Sequence, residues 1–561
     1  MAAQFIIECL DCKHQTHFFP SVVACPQCGS TWREAKYDYK QLAKVLPLQL
    51  PGRPFDIWRY HELLPIRSPN FDLSLCEGGT PLIQASNLGL MLGVPNLFIK
   101  DERRGPTISF KDRQAAITIA ALKEAGITEM VVASTGNVAI AYSAYAARAG
   151  IKLWAFMTSL VPVEKMREVA IYGTQVIKVT GTYDQTKKLA AEFAQKRGIF
   201  IDQGAKTISA IEGMKTIAFE IAEQLTARQG QLNSTETSHI PAPWKSPEWY
   251  IQSVSGGMGP IGVIKGFWEL KEMGLIDCVP KMGIIQVDGC APMSHAWKQG
   301  LEIAEPINSP KTRIATLATG DPGRTYTLLK QRMDQEAGGA FENISDEDAF
   351  RAMHVLAKME GVSAEPAAAV AIAGMIKLIR TGVIKNSDTV VVNITGHTMP
   401  IEPFVLGEGW AQSLVLPSKK EEIPEEGLLS ALRSVVDDRY PRIMVVDDNP
   451  DARRLIRRIL QAQGNYTIFE AGNGTQAIDL AKKELPNLIV LDLMMPEMDG
   501  FSVIDAIQAN PDTADIPVIV VTAKELTREE KSYLEGHIQS LMQKGDFMSD
   551  ELLDEVRALL R

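Results

Sequence analysis

The chain has 561 residues, a formal net charge of −10, 45% hydrophobic residues and 22% charged residues. This length predicts roughly three to four compact domains, and the composition excludes a disordered, collagen-like or coiled-coil protein. A mildly acidic chain repels nucleic-acid phosphates, so we expect no nucleic-acid partner.

The longest apolar run, from Ala367 to Ile376, is shorter than the roughly 20 residues that a membrane-spanning helix needs. Before Lys13 only Phe5, Ile6 and Ile7 could form the apolar part of a secretory signal. We therefore expect a cytoplasmic protein without a membrane partner, in a compartment where thiols stay reduced.

Four of the seven cysteines lie close together at the amino terminus, as two Cys-x-x-Cys pairs separated by twelve residues: Cys9, Cys12, Cys25 and Cys28. This spacing lets four thiolates reach one tetrahedral Zn²⁺ ion. The segment is too small to bury a core of its own, so metal binding would supply its folding free energy. We predict a zinc ribbon over residues 1–36; the alternative is four reduced structural thiols.

From about residue 75 to 400, short β-rich segments alternate with longer helical patterns. The predicted strands are Leu97–Lys100, Met130–Ala133, Leu153–Met157, Val176–Val179, Tyr250–Val254, Gly283–Val287 and Thr389–Ile394. The helical patterns include Arg113–Ala125, Tyr183–Lys196 and Asp346–Met359, the last opened by a Ser345/Asp348 capping box. Such alternation predicts parallel sheets covered by helices, with binding sites at the carboxyl ends of strands.

Three loops in this region carry chemistry suited to an anionic cofactor. The first places Lys111 at the start of a helix beside small hydroxyl residues. The second, Ser134-Thr135-Gly136-Asn137, ends a strand and opens a helix, where backbone N–H groups stabilise an anion. The third, Ser255-Gly256-Gly257-Met258-Gly259-Pro260, permits close backbone approach to a phosphate. Each loop taken alone could be a tight turn, but together they indicate a pyridoxal phosphate site.

Residues 1 to about 405 resemble the threonine synthase family, of the tryptophan-synthase-β type of pyridoxal enzymes. The motifs that carry the resemblance are Glu77-Gly78-Gly79-Thr80-Pro81-Leu82, Ser109-Phe110-Lys111-Asp112-Arg113, Ser134-Thr135-Gly136-Asn137, Glu212-Gly213-Met214-Lys215-Thr216, Glu365-Pro366-Ala367 and Thr395-Gly396-His397. The resemblance implies a two-subdomain α/β fold of pyridoxal fold type II over residues 37–411.

The resemblance also implies the role of each site residue. Lys111 would carry the cofactor and later move protons, and Asn137 would hydrogen-bond the cofactor's 3-hydroxyl. Thr395 would face the pyridine nitrogen, and Ser134 and Thr135 would hold the substrate carboxylate. The phosphate would lie against the glycine loop formed by Gly256, Gly257, Met258 and Gly259.

The reaction implied is conversion of O-phospho-L-homoserine and water to L-threonine and phosphate.

The chain departs from the family at Gly105-Pro106-Thr107-Ile108-Ser109, which lacks an asparagine and a glycine. It also has Gly204 and Ala210 where the family has an asparagine and an arginine that bind substrate. Candidate replacements for that phosphate partner are Arg103, Arg104, Lys206 and Arg324. Another pyridoxal-dependent amino-acid lyase or dehydratase, or a catalytically silent ligand sensor, therefore stays open.

Residues 412–440 contain a charged, proline-punctuated stretch without apolar periodicity, which predicts a linker. From residue 441 to 561, strand and helix patterns alternate again, and about 120 residues suit one five-stranded, doubly wound domain. Asp447 and Asp448 follow its first strand, Asp492 its third and Thr522 its fourth, with Lys544 later. Carboxylates that converge at one sheet edge repel each other unless a cation lies among them, and Mg²⁺ suits such oxygen ligands.

This tail resembles the receiver domain of bacterial response regulators, a flavodoxin-like fold, above all in residues 492–500. The resemblance implies that Asp492 accepts a phosphoryl group, that Asp447, Asp448 and Asp492 hold Mg²⁺, and that Thr522 and Lys544 contact the phosphoryl group. The partner would be a histidine kinase or a phosphotransfer protein. We hypothesise a pyridoxal enzyme of threonine biosynthesis, a homodimer, with a phosphorylation-responsive module.

Overall fold

The computed structural model describes residues 5–134, 136–158, 161–180, 183–229, 243–397, 441–463, 466–524, 526–543 and 551–560. The chain divides into two compact units. The first takes in the described parts of Met1–Ala85, Asn96–Met353 and Ser363–Ile401, and the second those of Ser86–Pro95, His354–Val362 and Glu402–Arg561. The segment interpreted as a linker lies outside the described residues. The domain boundaries at residues 36, 411 and 440 stay predictions.

The first unit begins with a small antiparallel sheet of order β2-β1-β3, formed by β1 (Phe5–Cys9), β2 (Gln15–Thr16) and β3 (Arg33–Tyr37). Its inward side chains Ile7, Ala35 and Tyr37 join the main hydrophobic core of the unit. The ribbon sheet is therefore packed against the rest of the first unit.

A six-stranded sheet of order β12-β11-β10-β13-β5-β4 forms the larger layer of the first unit. Its strands are β4 (Leu82–Gln84), β5 (Leu97–Asp101), β10 (Trp249–Ser253), β11 (Lys281–Val287), β12 (Gly339–Ile344) and β13 (Val390–Ile394). All neighbours pair in parallel except β4, which runs antiparallel to β5. Every residue of β10 and β13 is buried, as expected for central strands covered on both faces.

A second parallel sheet, of order β8-β7-β6-β9, forms the smaller layer. Its strands are β6 (Glu129–Ser134), β7 (Lys152–Thr158), β8 (Gln175–Val179) and β9 (Phe200–Ile201). Its apolar side chains pack against helices in a cluster separate from the core of the six-stranded sheet. The two sheets thus belong to two subdomains.

The helices between these strands follow the predicted alternation. They are α1 (Tyr39–Gln49), α2 (Ser86–Leu92), α3 (Lys111–Glu124), α4 (Asn137–Ala149), α5 (Val163–Ile171), α6 (Tyr183–Arg197), α7 (Ile208–Gln229), α8 (Met258–Glu272), α9 (Pro292–Lys298), α10 (Thr325–Gln335), α11 (Asp346–Glu360) and α12 (Pro366–Arg380). Short 3₁₀ turns span Ile57–Leu63, Phe71–Leu73, Glu102–Arg104, Gly204–Lys206 and Ala315–Leu317.

All seven strands and three helices predicted for the middle region are present, with ends that differ by one or two residues. The predicted capping box of α11 is confirmed: the Asp348 N–H donates to Ser345 Oγ at 3.0 Å, and the Ser345 N–H donates back to Asp348 Oδ2 at 3.3 Å. The two-subdomain α/β fold is confirmed as well. No helix of the described residues combines the length and apolarity that a bilayer crossing needs.

The carboxyl-terminal part of the second unit is a five-stranded parallel sheet of order β15-β14-β16-β17-β18. The strands are β14 (Arg442–Val446), β15 (Thr467–Ala471), β16 (Leu488–Leu491), β17 (Val518–Thr522) and β18 (Ser540–Gln543). The helices are α13 (Pro450–Gln463), α14 (Gly474–Glu484), α15 (Gly500–Gln508), α16 (Arg528–Glu535) and α17 (Glu551–Leu559). Apolar clusters lie on both faces of the sheet. This is the doubly wound topology that the sequence predicts.

Candidate functional site

Residues at the carboxyl ends of β6 and β10, together with the loop after β13, line a cavity of about 600 Å³ in the first unit. The predicted catalytic and cofactor-binding residues all line it: Lys111, Asn137, Gly256, Gly257, Met258, Gly259 and Thr395. The topology therefore brings three loops, far apart in the chain, to one site, as expected for parallel strands whose carboxyl ends share an edge.

Lys111 is the first residue of α3, and its loop is tied to the loop after β13. The Phe110 N–H donates to the Thr395 carbonyl at 2.9 Å, and the His397 N–H donates to the Ile108 carbonyl at 3.1 Å. Burial lowers the pKa of Lys111 to about 8, although the negative charges of Asp202 and Glu365 oppose the shift. The amine is therefore held in place and loses its proton more readily than an exposed lysine.

The loop before Lys111 departs from the family in sequence but closes by local hydrogen bonds. The Thr107 hydroxyl donates to Asp112 Oδ1 at 2.6 Å, and the Thr107 N–H donates to Asp112 Oδ2 at 3.0 Å. Burial raises the pKa of Asp112 to about 7. Ile108 takes the place of the missing glycine and has a φ of 54°, a left-handed conformation that is strained for a β-branched residue.

The glycine loop lies at the amino end of α8, so that unpaired N–H groups at the helix start border the cavity. Gly257 has a φ of +82°, and a Cβ there would come within 2.8 Å of Thr325 Cγ2. A Cβ on Gly259 would come within 2.4 Å of Gln252 Nε2. Both positions therefore require glycine, and the helix dipole favours an anion at this end.

Asn137, the first residue of α4, lies between two charged side chains. Its Nδ2 donates to Glu365 Oε1 at 2.9 Å, and Lys165 Nζ donates to its Oδ1 at 3.0 Å. Glu365 is 4% exposed and precedes Pro366 at the start of α12. A Cβ on Gly396 would lie 2.7 Å from Glu365 Oε1, so the close approach of this loop depends on glycine.

Ser134, predicted to hold the substrate carboxylate, is buried at the end of β6, and its Oγ accepts from the N–H groups of Gly136 and Ala139, both at 3.0 Å. This hydroxyl stabilises the start of α4, and the residues of β6 and α4 that line the cavity are Ala133, Asn137 and Val138. Thr135 lies outside the described residues.

The segment after β9 contributes a wall that includes Asp202, Gly204 and Lys206. Burial raises the pKa of Asp202, while hydrogen bonds from Thr207 and Gly204 oppose the shift. Ala210 is fully buried. Of the four cations considered as replacements for the missing phosphate partner, Lys206 and Arg324 line the cavity, whereas Arg103 pairs with Asp101 at 2.7 Å.

The four amino-terminal cysteines converge as their spacing predicts. All four Sγ atoms lie within 4.8 Å of one another, and the Cys9–Cys28 and Cys12–Cys25 distances are both 3.6 Å. Four sulfurs bound tetrahedrally to zinc are about 3.8 Å apart, so the thiols fit such an ion.

In the carboxyl-terminal sheet, Asp447, Asp448 and Asp492 each place a carboxylate oxygen within 4.8 Å of the other two. Asp492 Oδ1 accepts from the Met494 N–H at 3.2 Å, and Thr522 is buried at the end of the neighbouring β17. Lys544 lies outside the described residues. The geometry suits a divalent cation that also takes a phosphate oxygen.

Several site residues were missed by the sequence reasoning. Glu365 belongs to a motif that was noted without a role, and its contact with Asn137 spans 228 positions. No sequence motif marks Asp202, which follows the short strand β9, or Trp32, which precedes β3. Lys165 could have been found only by knowing that α5 packs beside the start of α4.

Residues 73–396 match the family model described as "Pyridoxal-phosphate dependent enzyme". Residues 443–557 match the family model described as "Response regulator receiver domain". Among curated proteins, the chain is 34% identical to the threonine synthase of Methanocaldococcus jannaschii over 393 residues, 70% of this chain and 91% of that protein. It is 30% identical to the threonine synthase of Methanosarcina acetivorans over 395 residues, again 70% and 91% of the two chains.

Proposed function

Because the chain belongs to the pyridoxal-phosphate dependent enzyme family, is threonine synthase-like and ends in a receiver domain, we propose that it converts O-phospho-L-homoserine and water to L-threonine and phosphate. The observation that carries this proposal is the half-buried Lys111, which lines a cavity whose other wall is the glycine loop at the start of α8.

The residues of the cavity fit pyridoxal 5′-phosphate. The amine of Lys111 would hold its carbonyl carbon, and the glycine loop, which has no room for a Cβ at Gly257 or Gly259, would hold its phosphate. Thr395 would face the ring nitrogen and Asn137 the 3-hydroxyl. Thr135, with the start of α4, would bind the substrate carboxylate, and Ser134, whose hydroxyl is buried and bonded to the N–H groups of Gly136 and Ala139, would hold that helix start in place.

When bound, the cofactor supplies an electron sink that makes the substrate Cα–H acidic. Lys111 would move protons at Cα and Cβ, because its lowered pKa lets the amine both accept and release a proton near neutral pH. Glu365 and Lys165 hold Asn137 in place, so they would orient the side chain that is proposed to bind the 3-hydroxyl.

The direct test uses the purified full-length chain with O-phospho-L-homoserine, following threonine and inorganic phosphate. We expect equal amounts of both products. L-serine and L-threonine serve as comparison substrates, because a pyridoxal-dependent dehydratase would release ammonia from them. Ammonia release without phosphate release would replace the proposal by that alternative.

Uptake of pyridoxal 5′-phosphate by the cofactor-free chain should depend on pH through Lys111. With a pKa of about 8, the neutral amine rises from about a tenth at pH 7 to about nine-tenths at pH 9, so the uptake rate should rise about tenfold and then level off. Stopped-flow absorbance measures this rate. Asp202→Asn, which removes a negative charge that favours the protonated amine, should move the midpoint to lower pH. A rate that still climbs above pH 10 would contradict the assignment.

We also propose that Asp492 is phosphorylated by a histidine kinase or a phosphotransfer protein, with Mg²⁺ held by Asp447, Asp448 and Asp492. Thr522 and Lys544 would contact the phosphoryl group. Where two sites of one protein are coupled, the coupling free energy is typically about 1–3 kcal/mol, so phosphorylation could change turnover or assembly.

We also propose that the protein is a homodimer and that it lies in the cytoplasm. The cytoplasmic location is supported by the four-cysteine site, because thiols stay reduced in that compartment.

Asp492→Asn should abolish incorporation of labelled phosphate from a small phosphodonor such as acetyl phosphate, because it removes the carboxylate oxygen that would accept the phosphoryl group. Asp512→Asn, an exposed turn position in the same sheet domain, is the matched control and should incorporate as much as wild type. Removal of Mg²⁺ should stop incorporation too. Labelling of the Asp492→Asn chain at the wild-type level would refute the assignment. Equal kcat and KM before and after phosphorylation would remove the proposed coupling.

A second candidate, a catalytically silent sensor of an amino acid or of the cofactor, is favoured by one observation. Gly204 lines the cavity where the family has a substrate-binding side chain, so position 204 contributes no side chain that could hold the substrate. A sensor would bind O-phospho-L-homoserine, detectable by calorimetry, and would release no phosphate above the Lys111→Ala control.

A further inference from the structure

The ribbon is attached to the helices behind the cavity by buried hydrogen bonds. Lys265 of α8 donates to the Ala35 carbonyl of β3 at 2.8 Å, and the Tyr37 hydroxyl donates to Glu212 Oε2 of α7 at 2.9 Å. Glu212 is fully buried and pairs with Lys215 at 2.5 Å. Strand β3 is therefore held rigidly against α8, whose first turn carries the glycine loop.

The other end of the ribbon reaches the cavity itself. Trp32, four residues after Cys28, lines the cavity, and the Lys206 ammonium lies 5.7 Å from the centre of its ring. The Leu10 N–H donates to the Trp32 carbonyl at 3.0 Å, and the Trp32 N–H donates to Ser30 Oγ at 3.1 Å. Leu10 and Ser30, which lie beside the first and second cysteine pairs, thus hold the backbone of a cavity residue.

The ribbon also holds a cavity arginine. Asp11, between Cys9 and Cys12, lies 2.6 Å from the guanidinium of Arg324, which lines the cavity at the start of α10. Two turns further along α10, Arg332 pairs with Glu34 of β3 at 2.5 Å. Thr325, the residue directly after Arg324, contacts the position where Gly257 would carry a Cβ.

We propose that the amino-terminal ribbon is part of the substrate site: a metal bound by its four cysteines fixes Trp32 and, through Asp11, Arg324, and these with Lys206 receive the distal phosphate of the substrate. The identity of that substrate rests on the proposed function. Two cations beside an aromatic wall suit a phosphate, because guanidinium and ammonium groups bind it by charge-assisted hydrogen bonds. Asp11 is a positioning residue, since it acts through Arg324.

The test uses the full-length chain loaded with pyridoxal 5′-phosphate and zinc, in two assays. Calorimetry gives the Kd of inorganic phosphate, and steady-state kinetics give kcat and KM for O-phospho-L-homoserine. Arg324→Gln and Trp32→Ala should each raise the phosphate Kd and the KM about tenfold, as expected for the loss of one charge-assisted contact or of a wall that excludes water. The kcat should stay within about twofold, and Trp32→Phe should recover most of the loss.

Asp11→Asn should raise the same two constants about threefold, because its ion pair with Arg324 is partly exposed. Glu8→Gln is the matched control: Glu8 is a ribbon carboxylate that pairs with Lys13 and does not line the cavity, so both constants should stay at wild-type values. Metal content, measured by mass spectrometry, should remain at one zinc per chain in all these variants.

Chelation of the zinc should weaken phosphate binding about tenfold, with recovery on adding zinc back. If the loaded wild-type chain binds phosphate but does not turn over O-phospho-L-homoserine, the proposed function fails while the phosphate constants still test the ribbon. The inference is overturned if the loaded wild-type chain binds no phosphate, or if Trp32→Ala and Arg324→Gln leave the phosphate Kd unchanged.

Discussion

Lys111→Ala is expected to lower kcat for O-phospho-L-homoserine by at least about 10³-fold, because the same amine would hold the cofactor and move the protons. It is the amine among the cavity-lining residues whose pKa burial lowers to about 8, and its loop is hydrogen-bonded to the strand-end loop at Thr395. The chain should also lose covalent retention of pyridoxal 5′-phosphate. Borohydride reduction followed by peptide mass mapping measures this directly.

Lys187→Ala is the matched control, since Lys187 also lines the cavity but its ammonium pairs with Asp184 at 2.6 Å. It should keep the pyridoxyl adduct on the peptide that contains Lys111. If borohydride trapping of the wild-type chain finds the adduct on another lysine, or on none, the assignment of the catalytic amine is wrong.

Glu220→Gln is expected to destabilise the first unit by about 3–5 kcal/mol, because it removes one partner from a buried ion cluster. Glu220 is fully buried in α7 and pairs with Arg113 at 2.6 Å and with Lys100 at 2.7 Å. It also accepts from the Gly79 N–H at 2.9 Å. Removing its charge leaves Lys100 and Arg113 in a low-dielectric interior with Glu102, which lies 2.8 Å from Arg113, as the remaining carboxylate of the cluster. Denaturant unfolding followed by tryptophan fluorescence gives the change in free energy.

The same cluster predicts how stability depends on pH. Although burial opposes it, the charges of Arg113 and Lys100 lower the pKa of Glu220 to about 2. A carboxyl whose pKa is lower in the folded state stabilises the fold above its unfolded pKa, and the contribution disappears as the pH falls from about 4.5 towards 2. The variant should lack this dependence. Glu272→Gln, at an exposed position of α8, should change the unfolding free energy by less than about 0.5 kcal/mol.

Much of the site could be predicted because the residues that carry its chemistry lie in short sequence motifs. Cysteine pairs, the lysine at a helix start and the glycine loop each depend on spacing within a few residues, and the structure brings all three glycines and Lys111 to one cavity. The strands were also predictable, since short apolar segments alternate with helical periods. Sequence reasoning could not find Glu365, because its role arises from a contact with Asn137 across 228 positions.

The departures from the family could also be located in the sequence, but only the structure shows what each of them changes. Ile108 was noted as a missing glycine, but only the backbone shows that it adopts a φ of 54° where glycine would be unstrained. Gly204 and Ala210 looked alike as missing substrate contacts, yet Gly204 lines the cavity and Ala210 lies in the core. The order of the four candidate cations in the chain does not show which of them line the cavity; the structure shows that Lys206 and Arg324 do.

The sequence by itself determined the set of chemical groups: four thiols that suit a metal, an amine and an anion-binding loop, and a carboxylate cluster in a doubly wound tail. Local spacing and hydrophobic period suffice for these, because each depends on neighbours along the chain. Only the tertiary structure decided that the ribbon reaches the cavity and that buried charges join α3, α7 and β5. Those contacts depend on how strands pair and helices pack, which involves residues more than a hundred positions apart.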